Sequence, residues 1–342
     1  MIDLSLYQNR IVIKGIILFM DMQVLTRIKE AILSAKSIVI NVHRNPDLDS
    51  VGSSEALERV ITLMGKEVVR ICPDPIPSAF SFLTGSKDIK TVDFKTYDFS
   101  RHDLLIVIDT GSVSHLTGQR DGVVPQLKKI VIDHHSINNV PADIRLIDTN
   151  SSSAAEIIYT ILKVCDVTID QQIATSLAAG ILSDTQMFRF SGNRTKEIDI
   201  VSDLVKKGGD KDAICDAMFG HMDIKKVQLY GEVLSSAVID SSHTYVTVFV
   251  DNGTYTTYGA PKGVRDSAAD YLRGIEGVQF AVVGIEEKPG QLFLSFRSTG
   301  RDISKLSLSL GGGGHKLAAG ATVYESFEQA KKKVLEVLSS RH

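Results

Sequence analysis

SIVINVHRNPDLDS, residues 37–50, runs without a break from an apolar, β-branched stretch into an imidazole and two carboxylates. Its first six residues predict a buried strand, and His43, Asp47 and Asp49 stand just beyond that strand's carboxyl end. The pattern recurs. Leu104–Ile108 (LLIVI) ends at Asp109, and Lys129–Ile132 (KIVI) ends at Asp133-His134-His135. A fourth apolar segment ends at Asp184 in ILSD. Acids and imidazoles are rarely set against a core unless something pairs with them. Open α/β sheets build sites where strand ends converge on one crevice. The economical reading is a two-metal hydrolytic centre.

Taken singly, each cluster has a plainer reading. Asp47 or Asp49 serves equally as a helix cap, Asp109 as a loop-turning residue, and Asp184 as a C-terminal cap. Adjacent histidines are harder to explain away, because consecutive side chains on a strand point to opposite sides. Pro46 enforces an extended or turn conformation before Asp47, and a helix is expected over about 50–64. Gly52 and Ser53 open that helix in this reading, offering backbone N–H groups to an anion.

Outward from these clusters, strand-like and helix-like segments alternate from Val24 to about Phe190. The alternation predicts an α/β domain with a mostly parallel sheet covered by helices on both faces. Residues 195–235 read as a charged helical connection broken at Lys207–Asp210. Beyond it, Tyr245–Val250, Gln279–Ile285 and Gln291–Arg297 read as strands, with helices at 265–272 and 327–338. The domains expected are an extension over 1–22, a catalytic domain over 23–195, the connection over 196–234 and a smaller α/β domain over 235–342. The active site is expected in the cleft between the two domains. Ile11–Met20 is apolar but too short for a membrane span, which needs about 20 residues, and reads as a strand or loosely packed extension.

The second domain carries its own signal, Leu310-Gly-Gly-Gly-Gly-His315-Lys316 followed by Leu-Ala-Ala-Gly320. Four glycines let the backbone approach a ligand closely and turn N–H groups inward as an anion nest. Arg297-Ser298, at a strand end, adds a planar fork suited to phosphate. A net charge of −3 argues against a dedicated binder of long duplex nucleic acid. Three widely spaced cysteines, Cys72, Cys165 and Cys215, with no CxxC, point to a reducing, cytoplasmic setting rather than a disulfide framework. Mixed imidazole and carboxylate ligands suit manganese, with magnesium, cobalt or iron as alternatives.

In order and spacing, His43-x-x-Pro46-Asp47-x-Asp49-x-x-Gly52-Ser53, the strand-terminal Asp109, Asp133-His134-His135 and Asp184 resemble the motifs of the DHH phosphoesterase superfamily. The Arg297-Ser298 strand end and the glycine run resemble the DHH-associated C-terminal domain. The resemblance implies that His43, Asp47 and Asp109 hold one divalent metal, and that Asp49, Asp109, His134 and Asp184 hold a second. Asp109 would bridge them, with a hydroxide between the metals attacking phosphorus. Asp133 would orient a histidine, and His135 would face the phosphate as general acid or charge stabiliser. Arg297, Ser298, Gly312, Gly313, Gly314 and His315 would grip the substrate.

Of the superfamily, the two-domain oligoribonucleases are most similar. They imply short RNA or DNA oligonucleotides, dinucleotides above all, and 3′-phosphoadenosine 5′-phosphate as substrates, no membrane partner, and a homodimer by family habit. The alternatives are a phosphodiesterase for linear or cyclic dinucleotides, an exopolyphosphatase, and a catalytically inactive nucleotide sensor. Leu48 and Gln186 stand where the superfamily commonly has glycine, which puts the shape of the substrate pocket in question.

Overall fold

A computed structural model describes residues 10–13, 16–19, 21–119, 122–189, 194–220, 222–242, 244–314 and 316–339. The chain divides into two compact units, Met1–Gly220 and His221–His342. The division falls inside the expected connection: helices Arg194–Lys206 and Lys211–Phe219 lie in the first unit, and Ile224–Ser235 in the second.

The first unit is built on a six-stranded sheet in the order Lys90–Thr91, Glu67–Cys72, Ser37–Asn41, Leu104–Ile108, Lys128–Asp133, Ile144–Ile147. Every pairing in it is parallel. From Ser37–Asn41 the chain builds first to one side and then, from Leu104–Ile108, to the other. The switch point between these two strands is where such sheets leave a crevice, and His43 and Asp109 follow directly from them.

Alternation along the strands separates two buried faces. Ile38, Ile40, Ile106, Ile108, Ile130 and Ile132 pack with residues of the helices Met22–Ser34, Leu48–Leu63, Ala154–Val164 and Gln171–Asp184. Val39, Leu105, Val107 and Val131 pack instead with Phe94, Val140 and Leu116, the last from the short helix Val113–Thr117. Ile11–Met20 contains two antiparallel strands, Arg10–Ile13 and Ile16–Phe19, rather than one. No helix among the described residues is long and apolar enough to cross a membrane.

One expectation needs correcting. The helix after the first motif begins at Leu48, with Asp47 as its N-cap, so Gly52 and Ser53 lie inside it. Gly52 therefore opens no anion site. A Cβ there would stand 2.2 Å from the Ser176 carbonyl oxygen, so glycine is what lets this helix cross Gln171–Asp184 so closely. Leu48, at the first helical position, is buried in the core.

The second unit has a six-stranded mixed sheet in the order Gly313–Gly314, Ala318–Val323, Gln291–Ser298, Phe280–Lys288, Tyr245–Val250, Val238–Ile239. Only Tyr245–Val250 and Phe280–Lys288 run parallel. Leu292, Leu294 and Phe296 face the helices Ser304–Ser309 and Phe327–Ser339, while Val246, Val248 and Val283 face Ile224–Ser235 and Val264–Leu272.

Candidate metal centre

The four first-unit motifs meet at one place. His43 Nε2 lies 3.4 Å from Asp47 Oδ2 and 3.4 Å from Asp109 Oδ2. His134 Nε2 lies 3.3 Å from Asp109 Oδ1 and 3.2 Å from Asp184 Oδ2. Asp109 thus presents one carboxylate oxygen to each histidine. Its backbone is left-handed, with φ at +53°, a conformation that Asp and Asn tolerate better than most L-residues.

Among the described residues, three sets of side chains could each hold a cation: His43, Asp47 and Asp109; Asp49, His134 and Asp184; and Asp109, Asp133, His134 and His135. The donor chemistry fits a metal. His43 Nδ1 is 2.7 Å from the Arg44 carbonyl oxygen, so it carries the proton and leaves the Nε2 lone pair free. Asp109 Oδ1 and His134 Nε2 are buried and, though 3.3 Å apart, make no well-formed hydrogen bond with each other or with any other described residue, which buried polar atoms rarely tolerate.

The electrostatics agree. Burial opposes charge on His43, yet Asp109 and Asp47 outweigh it and raise its pKa to about 12. His134, likewise disfavoured by burial, is raised to about 10 by Asp109, Asp49 and Asp184. Burial first, and then Asp109 for Asp49 and Asp49 for Asp184, push those two carboxyls well above the usual range. Asp47, whose side chain is half exposed, is partly desolvated, yet His43 and the Ser50 amide hold it at about 2. The raised pKa values of the histidines and of Asp49 and Asp184 mark a crowding of like charges that a pair of divalent ions would relieve.

Asp133 and His135 are arranged differently. Asp133 is fully buried. Its Oδ1 accepts from the His134 amide at 2.9 Å and pairs with His135 Nδ1 at 2.7 Å. Its Oδ2 accepts from Asn138 Nδ2 at 2.6 Å, and the same Asn138 amide donates to the Thr110 carbonyl at 2.9 Å. Burial opposes ionisation of Asp133, but the bond from His135 overcomes it and lowers its pKa. The His135 side chain is 41% exposed; Asp133 fixes one ring nitrogen and leaves the other available. Gly111 allows this loop to close, since a Cβ there would come within 2.6 Å of the Ile137 carbonyl oxygen.

Sequence reasoning missed Asn138 and Arg145, whose guanidinium bonds Asn138 Oδ1 at 2.8 Å. It also missed His115, an exposed residue whose ring centroid lies 5.8 Å from that of His43. Desolvation, reinforced by His43, lowers the His115 pKa. An Asn five residues after an Asp carries no signal of its own; only the loop geometry joins them.

In the second unit, the expected grips are more committed than the motifs suggest. Arg297 bonds Asp270 and Asp266, each at 3.3 Å, and Ser295 Oγ and the Phe296 carbonyl, each at 3.0 Å. Ser298 is fully buried; its hydroxyl donates to the Gln279 carbonyl and accepts from the Gly300 amide, both at 3.1 Å. The Gly311 and Gly312 amides cap the helix Ser304–Ser309 through the carbonyls of Leu308 and Ser307. Gly312 is required by packing, since a Cβ would stand 2.1 Å from the Gly320 carbonyl oxygen. Gly313 and Gly314 pair with the strand Ala318–Val323. His315 lies outside the described residues.

Comparison with known proteins matches residues 37–181 to the DHH family, N-terminal domain, and residues 243–340 to the DHHA1 domain. The chain is 28% identical to the bifunctional oligoribonuclease and PAP phosphatase NrnA of Bacillus subtilis (strain 168), covering 90% of this chain and 96% of that one. It is 27% identical to the protein of the same name from Thermus thermophilus, over 88% and 89%. A solved structure of an exopolyphosphatase-related protein from Bacteroides fragilis superposes with a TM-score of 0.85 at 25% identity, over 96% of this chain and 98% of that one.

Proposed function

Because this chain belongs to the DHH family of phosphoric ester hydrolases, we propose that it cleaves very short oligonucleotides to mononucleotides. We propose too that it removes the 3′-phosphate of 3′-phosphoadenosine 5′-phosphate. The observation that carries this reading is Asp109, offering one oxygen toward His43 and the other toward His134. In this reading His43, Asp47 and Asp109 hold one divalent ion, and Asp49, Asp109, His134 and Asp184 hold the other, with manganese favoured by the mixed ligand set. Two such ions supply an acidified water and offset the charge of a phosphoryl group.

The protein's own part is orientation and proton placement. Asp133 holds His135 by Nδ1, so that the exposed ring edge meets the phosphate and stabilises charge developing on the leaving oxygen. Asn138 holds Asp133 and so acts through it. Arg297 and the backbone of Gly313 and Gly314 are proposed to hold the part of the substrate that is not cleaved. The near-complete mutual coverage with the oligoribonuclease relatives supports this substrate class over long strands.

The test is turnover, in manganese and again after chelation, of 3′-phosphoadenosine 5′-phosphate, a dinucleotide, a pentanucleotide, a long single strand, a cyclic dinucleotide and polyphosphate. Fast, chelator-sensitive cleavage confined to the smallest nucleotides is expected. Preference for the long strand, the cyclic substrate or polyphosphate overturns the substrate assignment. Asn138→Ala is expected to lower kcat by about 10–100-fold with little change in KM. An unchanged kcat removes Asn138 from the positioning chain.

A further inference from the structure

Asp49 is fully buried, yet no arginine or lysine side chain is bonded to it among the described contacts. Its carboxylate is met by backbone instead. The Ala154 amide donates to Oδ2 at 2.7 Å and the Ala155 amide to Oδ1 at 2.8 Å. These are the first two residues of the helix Ala154–Val164, whose amino end carries partial positive charge and unpaired N–H groups. That end is itself fixed: Ser153 Oγ accepts from the Glu156 amide at 3.1 Å, and Glu156 Oε2 accepts from the Ser152 amide at 2.9 Å. A third element closes in from the helix Gln171–Asp184. A Cβ on Gly180 would stand 2.6 Å from Asp49 Oδ1 and 2.6 Å from the Ala155 Cβ.

We infer that Ala154, Ala155 and Gly180 form a socket that positions Asp49 for one metal position of the centre, an assignment resting on the ligand reading given above. The two amides occupy one lone-pair direction on each oxygen. A carboxylate has about four such directions, so the others stay open toward His134 and Asp184, which share a candidate cation set with Asp49. The helix end also supplies positive charge to an acid crowded by other acids, so the ligand is held in place before any ion arrives. A clamp of this kind acts on one metal position and not the other, because the two amide bonds and the Gly180 approach converge on Asp49, whereas His43 and Asp47 belong to the other candidate set.

Two variants separate this from a purely structural staple between helices. Ala154 is the first helical residue, where proline is tolerated because its N–H serves no intrahelical bond. The preceding Ser153 is extended, at φ −161° and ψ 161°, as a residue before proline must be. Ala154→Pro therefore removes the donor to Oδ2 while sparing the helix, and Gly180→Ala drives a methyl into Oδ1. Manganese binding to the full chain is measured by calorimetry and electron paramagnetic resonance, alongside thermal unfolding.

The expected result is that each variant keeps one manganese ion at wild-type affinity and binds the second about 10–100-fold more weakly, with loss of any spin-coupled signal. Two ions bound as tightly as in the wild type by a folded Ala154→Pro overturn the inference. If Gly180→Ala fails to fold, Ala154→Pro decides alone; equal weakening of both ions also overturns it. A wild-type chain that binds fewer than two ions sinks the dinuclear reading instead, and so distinguishes the two failures.

Discussion

Asp109→Asn lowers kcat/KM for the smallest nucleotide substrates by at least about a thousandfold, beyond the 10–100-fold typical of an outer-sphere partner. Both carboxylate oxygens of Asp109 are directed at histidines of different clusters, so losing one anionic oxygen disturbs both at once. Asparagine isolates this effect because it tolerates the left-handed backbone at φ +53°. Asp109→Ala adds a backbone cost of roughly 1–2 kcal/mol, visible as a lower unfolding midpoint absent from Asp109→Asn. Steady-state kinetics paired with thermal unfolding of both variants checks the two parts. Turnover of Asp109→Asn within tenfold of wild type would leave the shared-ligand geometry without function.

The largest expected loss of stability lies elsewhere in the same unit. Arg70→Ala destabilises the chain by about 3–5 kcal/mol. Its side chain is wholly buried; Nε lies 2.7 Å from Glu58 Oε2, and Nη2 donates to the Gly85 carbonyl at 2.6 Å. The Gly85 amide in turn bonds Glu55, which also receives Gln172. Burial raises the Glu58 pKa and Arg70 opposes that rise, so removing Arg70 strands an acid in a poorly solvated place. The double variant Arg70→Met with Glu58→Met recovers most of the loss, because it removes both charges and refills the space. Urea denaturation measures each step. A shift under about 1 kcal/mol for Arg70→Ala would mean that the pair behaves as a solvated surface bridge.

How much of this was open to sequence reasoning depends on what carries the information. The strands Ser37–Asn41, Leu104–Ile108 and Lys128–Asp133 announce themselves by runs of β-branched and leucine residues, and the polar residues at their ends are conspicuous against those runs. Parallel pairing then brings the ends together, so His43, Asp109 and His134 converge without any further signal. The glycines are another matter. Gly52 reads as a helix opener, yet its role is to admit the Ser176 carbonyl from a helix over a hundred residues away. Gly180 and the amides of Ala154 and Ala155 carry no chemical signature, because what they contribute is absence of a side chain or a backbone N–H. Arg297 has an intermediate status: its acid partners Asp266 and Asp270 are four apart on one helix, a spacing visible in the sequence but meaningful only once the facing strand is known. Gln186, at φ +45°, stands in a left-handed turn after Asp184, which this protein makes without a glycine, a conformation that nothing in the local sequence announces.

Parallel pairing of strands remote in sequence also has a consequence for how the molecule comes into being. The residues that gather around Asp109 span positions 43 to 184, so no partial product of translation shorter than that contains the whole set. At about 5–20 residues per second, roughly seven to thirty seconds of synthesis separate His43 from Asp184. Until Leu104–Ile108 is made, Ser37–Asn41 lacks its partner on that side, and such unpaired apolar strands invite aggregation and chaperone capture. The candidate set His43, Asp47 and Asp109 is therefore complete in sequence long before the set that needs Asp184, so the two halves of the centre are finished at different moments of synthesis.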